Sequence, residues 1–456
     1  MTDRLLSGHQ PLDDVLGGGL PANAISLIMG RPGSGKTIVA QQYVFRNATP
    51  ERPAVYLSTV SEPLEKIVRF GQSLDFFDRA AIGRSVFYED LGATLSRDGL
   101  SGVTKYVTGL LRERRPGLIV IDSFKALPAV ASGHGEFRRF LHDLAGRLST
   151  FPLSSLWVGE YEGNEIGSLA EFAIADAILD MTTAAYGQRR IRFMQVRKLR
   201  GSNFRSGLHA YRLSASGLHL FPRLADAPIE QPYAMTEVRE SSGIAVLDAM
   251  LGDGYWPGAS TLVAGPSGSG KTLMGLHFIF NGARRGEPGV IATLQENASQ
   301  LRRVMAGFGW SLDESGVGLM YRSPIDIYID EWVYELLELV KKTGARRVLI
   351  DSLADLRMAA GDDVRFREFV FSLVQRFSLQ GVSVMMTLEL PDLFDSRRLS
   401  DTAMSALSDN VVLFGYAREG DSIGRTITVI KTRASGHDPG VRQFSIEPEG
   451  IVLQQR

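Results

Sequence analysis

GRPGSGKT at residues 30–37 and GPSGSGKT at residues 265–272 decide the fold of this 456-residue chain. Each follows an apolar run, AISLIM or STLVAG, and each opens a stretch with helical spacing. The pattern G-x-x-x-x-G-K-[S/T] between a strand and a helix is a phosphate-binding loop. Its glycines (Gly30, Gly33 and Gly35; Gly265, Gly268 and Gly270) let consecutive backbone N–H groups curl inward, and the helix adds the positive end of its dipole. Ser34 and Ser269 stand inside the loops. Lys36 and Lys271 are placed to reach the β- and γ-phosphates, and Thr37 and Thr272 to hold Mg2+. Two loops of this kind imply two bound nucleotides.

Working outward, the chain repeats itself. Ser7, Gly8, Leu12, Asp13, Leu16, Gly17 and Gly19 recur 235 positions later, without a gap, as do the loop residues Gly30, Gly35, Lys36 and Thr37. LIVIDS (118–123) answers VLIDS (348–352), and VRKLRGS (196–202) answers VIKTRAS (429–435). The period is far too long for a solenoid and reads as a tandem duplication. A proline-bearing stretch near 222–240 separates the halves, so the expected domains are 1–228 and 229–456. In each half, short Val/Ile/Leu runs alternate with helical stretches. This predicts an α/β fold with a mainly parallel sheet flanked by helices. The tails RIRFMQVRKLR, HAYRLSASGLHLF, RTITVIKTR and VRQFSIEPEGIVL predict antiparallel strands at the sheet edges. Asp122 and Asp351 end apolar strands, where a carboxylate can order a water of the Mg2+ shell.

Composition excludes several alternatives. With no cysteine there is no disulfide, thiolate metal site or cysteine nucleophile, and the seven histidines lack ligand spacing. Fifty Lys+Arg against 51 Asp+Glu argue against a bulk nucleic-acid binder. No apolar run approaches the ~18 residues of a membrane span, and MTDRLLSGHQ lacks a signal-peptide pattern. A cytoplasmic setting is expected.

Taken in order, S-G-x-x-x-L-D-x-x-L-G-x-G, the G-x-x-G-S-G-K-T loop, the I-D-S strand and K-x-R-[G/A]-S resemble the RecA superfamily. Within it they resemble the KaiC-type ATPases, named for a cyanobacterial clock protein. The likeness spans about 5–222 and 240–453 and implies two tandem RecA-like P-loop NTPase domains. It further implies a homo-oligomer, usually a hexamer of two stacked rings, with ATP between neighbouring subunits. Lys198 and Arg200, with Lys431 and Arg433, match the family's K-x-R, whose cations reach a neighbour's γ-phosphate. Arg192, Arg425 and His437 match positions near bound nucleotide, although Phe204 stands at the first-half counterpart of His437. Phe308 is placed to stack on adenine or to fill the core.

The sequence also departs from the family. Adjacent glutamates that activate water are replaced by Ser61–Glu62 and Gln295–Glu296. Glu62 and Glu296 remain as candidate bases, while Ser and Gln can only hydrogen-bond to water. Slow hydrolysis is expected, or ATP held structurally. The clock protein's paired phosphoacceptors read Ser405–Ala406 here, leaving Ser405 as the candidate, with Ser400 and Thr402 nearby. The last strand-like run ends near 453, so the family's C-terminal regulatory tail is not expected.

Three functions stay open at this stage: an oligomeric ATPase with possible serine/threonine autokinase activity in signalling, a nucleotide-gated scaffold with negligible turnover, and a DNA-dependent motor. Segment 160–171 has four Glu and no Lys or Arg, and 389–401 offers Arg397 and Arg398 among four carboxylates. That composition disfavours the motor. A protein signalling partner is not specified by the sequence.

Overall fold

The computed structural model describes residues 4–59, 64–165, 169–186, 189–224, 237–313, 316–325, 327–391 and 404–454. The chain divides into two compact units, Met1–Asp226 and Ala227–Arg456. The junction expected at 228/229 lies outside the described residues.

Each unit is built on one sheet, nine-stranded among the described residues. In the first, the strands run from edge to edge as Gly217–Phe221, His209–Ser214, Arg189–Leu199, Ala177–Tyr186, Ile25–Gly30, Ser154–Gly159, Leu118–Asp122, Ala54–Ser58 and Val86–Asp90. From Ala177–Tyr186 to Val86–Asp90 neighbours pair in parallel; the remaining three join antiparallel. The second sheet repeats this in opposite listing: Val317–Tyr321, Gly289–Thr293, Arg347–Asp351, Ser383–Glu389, Ser260–Gly265, Asn410–Glu419, Ser422–Thr432, Arg442–Glu447 and Gly450–Leu453. The antiparallel tails read from sequence are these edge strands.

The parallel strands are apolar on both faces because both faces are covered. Leu27, Met29, Val55, Leu57, Ile119 and Ile121 point into one core, and Ile28, Tyr56 and Val120 into the other. This is the period-2 alternation of a strand buried twice. Helix Lys36–Asn47 covers the Ile28 side with Val39, Ala40, Tyr43 and Val44. Helices Gly92–Arg114 and His134–Ser149 cover the other. In the second unit, helix Lys271–Arg284 buries Leu273, Met274, Leu276 and Ile279 against Ile291 and Leu349. Both loop helices therefore start at the carboxyl end of a central strand, where α/β sheets place ligands. No helix among the described residues is long and apolar enough to cross a membrane.

Candidate functional site

Each phosphate loop leaves its strand at a glycine that no other residue could replace. A Cβ at Gly30 would meet Ser34 Oγ at 2.9 Å as well as the Met181 carbonyl, and one at Gly265 would meet Phe414 O at 2.6 Å. Gly35 and Gly270, at φ 93° and 109°, start the two helices in the left-handed region that favours glycine. Lys36 and Lys271 follow at once. Their ammonium groups donate to the Arg31 and Pro266 carbonyls at 2.9 and 2.8 Å, so each curls back over its own loop. Burial lowers the pKa of both, partly offset by Glu160 and Asp122 in the first unit and by Glu389 and Asp351 in the second. A desolvated cation of this kind gains most from an anionic ligand.

The hydroxyl–carboxylate pair beside the lysine is formed in both units. Thr37 Oγ1 donates to Asp122 Oδ2 at 2.9 Å, and Thr272 Oγ1 to Asp351 Oδ2 at 2.7 Å. Ser34 Oγ and Ser269 Oγ are buried within the loops without a protein partner. Orphaned hydroxyls, a desolvated lysine and hard oxygen donors fit a magnesium–triphosphate group.

Sequence reasoning missed how the aspartates are held. In the first unit the buried Tyr56 hydroxyl donates to Asp122 Oδ2 at 2.5 Å. In the second, Thr387 Oγ1 donates to Asp351 Oδ1. The loops are also tied by tyrosines from different strands: Tyr211 donates to Ser34 O at 2.6 Å, and Tyr416 to Ser267 O at 3.2 Å. No linear pattern announces these residues, since each is distant in sequence from what it holds.

Glu296 lies just before helix Ala298–Ala306, which Asn297 caps. Its Oε2 is buried without a partner, and its pKa is raised, first by burial and then by the Asp351 charge. It therefore lies within range of the Asp351 charge. Beside it, Gln295 Nε2 donates to Ser352 Oγ and Asp355 Oδ2 at 3.2 and 3.0 Å. Glu62, Ser400 and Thr402 lie outside the described residues.

Arg192 and Arg425 occupy equivalent strand positions near the loop ends of the sheets. Arg192 pairs with Thr183 and Tyr211, and Arg425 with Tyr416 and Phe444. Arg425 Nε is buried without a partner. The K-x-R residues sit at the other end. Lys198 pairs with Ile178, level with Leu27, and Lys431 with Val411, level with Leu262. That places each three residues, about 10 Å, before Gly30 or Gly265 along the strand. Their side chains turn away from their own loops. Lys198 Nζ donates to Phe172 O and Ala173 O at 3.1 and 3.0 Å, and Lys431 Nζ to Ser405 O and Ser408 O at 2.8 and 2.6 Å. Arg200 pairs with Asp176 and Arg433 with Asp409. Ser405 belongs to the short helix Met404–Leu407 at this same end. His437 lies there too: its neighbour Asp438 donates from N to Met250 O at 2.9 Å. Phe308 is half-buried against Trp310, with ring centroids 5.4 Å apart.

The acidic segment after strand Ser154–Gly159 is used within the chain. Glu162 pairs with Arg31, Glu165 with Lys125, and Glu171 accepts from Tyr161.

Comparison with known proteins agrees with this architecture. The sequence profile of the family described as "ATPase: KaiC" matches residues 6–225 and 240–456. The chain is 26% identical to the circadian clock protein KaiC3 of Synechocystis sp., over 99% of this chain and 92% of that one. It is 24% identical to the circadian clock oscillator protein KaiC of Picosynechococcus sp. (97% and 88% covered) and 25% to that of Nostoc sp. (97% and 87%). Twice-matched profile, near-complete coverage and a duplicated loop–strand–aspartate site lead to one conclusion: this chain belongs to the KaiC ATPase family.

Proposed function

We propose that the chain binds ATP at both phosphate loops and hydrolyses it slowly, at sites completed by neighbouring copies in a ring. The observation that carries this is the recurrence of one cluster in both units: a desolvated lysine beside a threonine–aspartate pair. Bound Mg2+ supplies neutralisation of charge on the β- and γ-phosphate oxygens. Thr37 and Thr272 would hold the ion through their hydroxyls, with Asp122 and Asp351 ordering its water. The loop amides and Lys36 or Lys271 grip the phosphates. Glu296, and Glu62 in the first unit, accept the proton of attacking water. Loss of the preceding glutamate in both units removes one acceptor and supports slow turnover.

The K-x-R cations point away from their own loops, which supports action on a neighbour's nucleotide. Ser405, carried at the same end, would receive phosphate only from a neighbouring copy's ATP. We place the protein in the cytoplasm, in a signalling or regulatory role, with a hexamer as the favoured assembly. Negligible turnover with nucleotide-gated assembly is the second reading, favoured by Ser61 and Gln295 at the first-carboxylate position.

Calorimetry with Mg-ATP should show binding that falls by about half in stoichiometry in Lys36→Ala or Lys271→Ala and vanishes in the double variant. Particle mass, ADP release and phosphosite mapping on the same samples separate the readings. Absence of nucleotide uptake by the intact chain sinks the proposal, and single-turnover hydrolysis too slow to detect favours the scaffold.

A further inference from the structure

Gln295 takes the place of a carboxylate in the second unit, and a carboxylate sits directly on its amide. Gln295 Nε2 donates to Asp355 Oδ2 at 3.0 Å and to Ser352 Oγ at 3.2 Å, while Ser352 Oγ donates to the same Asp355 oxygen at 2.6 Å. An ionised carboxylate only accepts. The end of the Gln295 amide facing Asp355 must therefore be its –NH2, and the carbonyl oxygen Oε1 is turned away as an acceptor. The triangle adjoins the phosphate end of the site. Ser352 directly follows Asp351, Leu294 N donates to Asp351 O at 2.8 Å, and the Asp355 charge acts on the Asp351 carboxyl. Gln295 is exposed, so water reaches it. On its other side in sequence, Glu296 keeps a buried carboxylate oxygen without a partner.

Nothing of this kind is encoded in the first unit. Four residues after its strand-end aspartate stands Ala126, and Ser61 takes the place of Gln295.

We propose that Gln295 positions the attacking water of the second site, and that Asp355 is the positioning residue that fixes which way its amide points. This rests on the ATPase reading above. Water donates one hydrogen bond to Gln295 Oε1 and gives its other proton to Glu296. The water oxygen bonds to the γ-phosphorus as the bond from that phosphorus to the β–γ bridging oxygen breaks. ADP leaves with that electron pair, phosphate is released, and Glu296 returns the proton to solvent. An amide oxygen is too weak a base to take the proton but orients water well, as glutamines do in other phosphoryl-transfer sites. Labour that two adjacent carboxylates would share is split between Glu296 and an Asp355-held amide.

The test uses the full-length chain with the first loop disabled by Lys36→Ala, so that only the second unit turns over. Asp355→Asn and Gln295→Ala should each lower kcat about 10- to 100-fold. KM for ATP and calorimetric affinity for a non-hydrolysable ATP analogue should stay within about twofold, because neither residue grips the phosphates. The double variant Gln295→Ala/Asp355→Asn should be no slower than Gln295→Ala alone, since Asp355 acts through Gln295. Exchanging the pair, Gln295→Glu with Asp355→Asn, again presents a fixed acceptor oxygen and should recover turnover. Unchanged kcat in Asp355→Asn, additive losses in the double variant, or no recovery in the exchanged pair would overturn the proposal. A Lys36→Ala parent that binds no ATP, or binds it without releasing ADP, instead takes down the ATPase reading along with this one. The two failures are thus told apart by the parent protein.

Discussion

Asp122 and Asp351 close equivalent strands, yet they are steadied from opposite sides. Tyr56 reaches Asp122 from the strand on one flank, and Thr387 reaches Asp351 from the strand on the other. The register shows the exchange: Ile291 occupies the Tyr56 position in the second unit, and Val158 lies opposite Asp122 where Thr387 lies by Asp351. Besides the loop threonine, each aspartate thus has a donor from a neighbouring strand, and the strand differs between the units. A hydrogen bond to a charged group contributes about 1.5–3 kcal/mol, so Tyr56→Phe should lower the stability of the first unit by roughly that amount. Denaturant unfolding of the full chain measures it, and an unchanged midpoint would show that Tyr56 does not hold Asp122. Glu296 carries a second residue-scale prediction. Burial raises its pKa, so it takes up a proton at higher pH than an ordinary glutamate, and a base is lost when protonated. In Lys36→Ala protein, turnover should fall as pH drops through that raised pKa, above the usual carboxylate range. Glu296→Gln should remove this acidic limb and cost about 100-fold in rate. A flat profile in the parent, or a full-rate Gln variant, would exclude Glu296 as the base.

Elements explain why some of the site was legible in the chain and some was not. Strands buried on both faces must be apolar throughout, and a loop that curls amides inward must be glycine-rich. Both constraints act on consecutive residues, so the sheets, the loops and the strand-end aspartates show in sequence. Tyr56, Thr387, Tyr211 and Asp355 meet their partners only after the sheets assemble, and no local pattern marks them. The K-x-R cations fall between these cases: their strand was readable, their direction was not. Lys198 and Lys431 hold the last carbonyls of helices Ala170–Ile174 and Met404–Leu407, a favourable place for a cation. Helix Ala298–Ala306 is fixed from its other end, by an Asn297 side chain that accepts from Ser299 N and Gln300 N while Gln300 Oε1 accepts from Asn297 N. Asn297→Ala should cost about 1 kcal/mol of second-unit stability and, by loosening the turn that carries Glu296, lower turnover more than ATP affinity. Equal losses in both would mean that the cap serves folding alone.

On the scale of the whole molecule, the two ends of each sheet carry different charged groups. Amides, lysine and aspartate gather at the carboxyl ends of the parallel strands, while Arg200 and Arg433 lie at the opposite ends, beside Asp176 and Asp409. Along the first sheet, Arg200 N bonds to Asp176 O and Asp176 N to Ile25 O, so Arg200 stands level with the start of the strand that ends at Gly30. Five residues of strand amount to about 17 Å, beyond the reach of an arginine side chain to its own loop. On the reading proposed above, the K-x-R cation that acts on each nucleotide comes from another copy, so loop defects and arginine defects should lie on different chains. In a Lys36→Ala background, Lys271→Ala and Arg433→Ala chains should each lose second-unit turnover when pure. Mixed under conditions that exchange subunits, equal amounts should recover about one quarter of the parent rate, the fraction of interfaces that draw an intact loop from one chain and an intact arginine from the next. Mixtures as inactive as their components, or full activity in pure Arg433→Ala, would mean that each site is complete within a single chain, against the orientation of both K-x-R pairs.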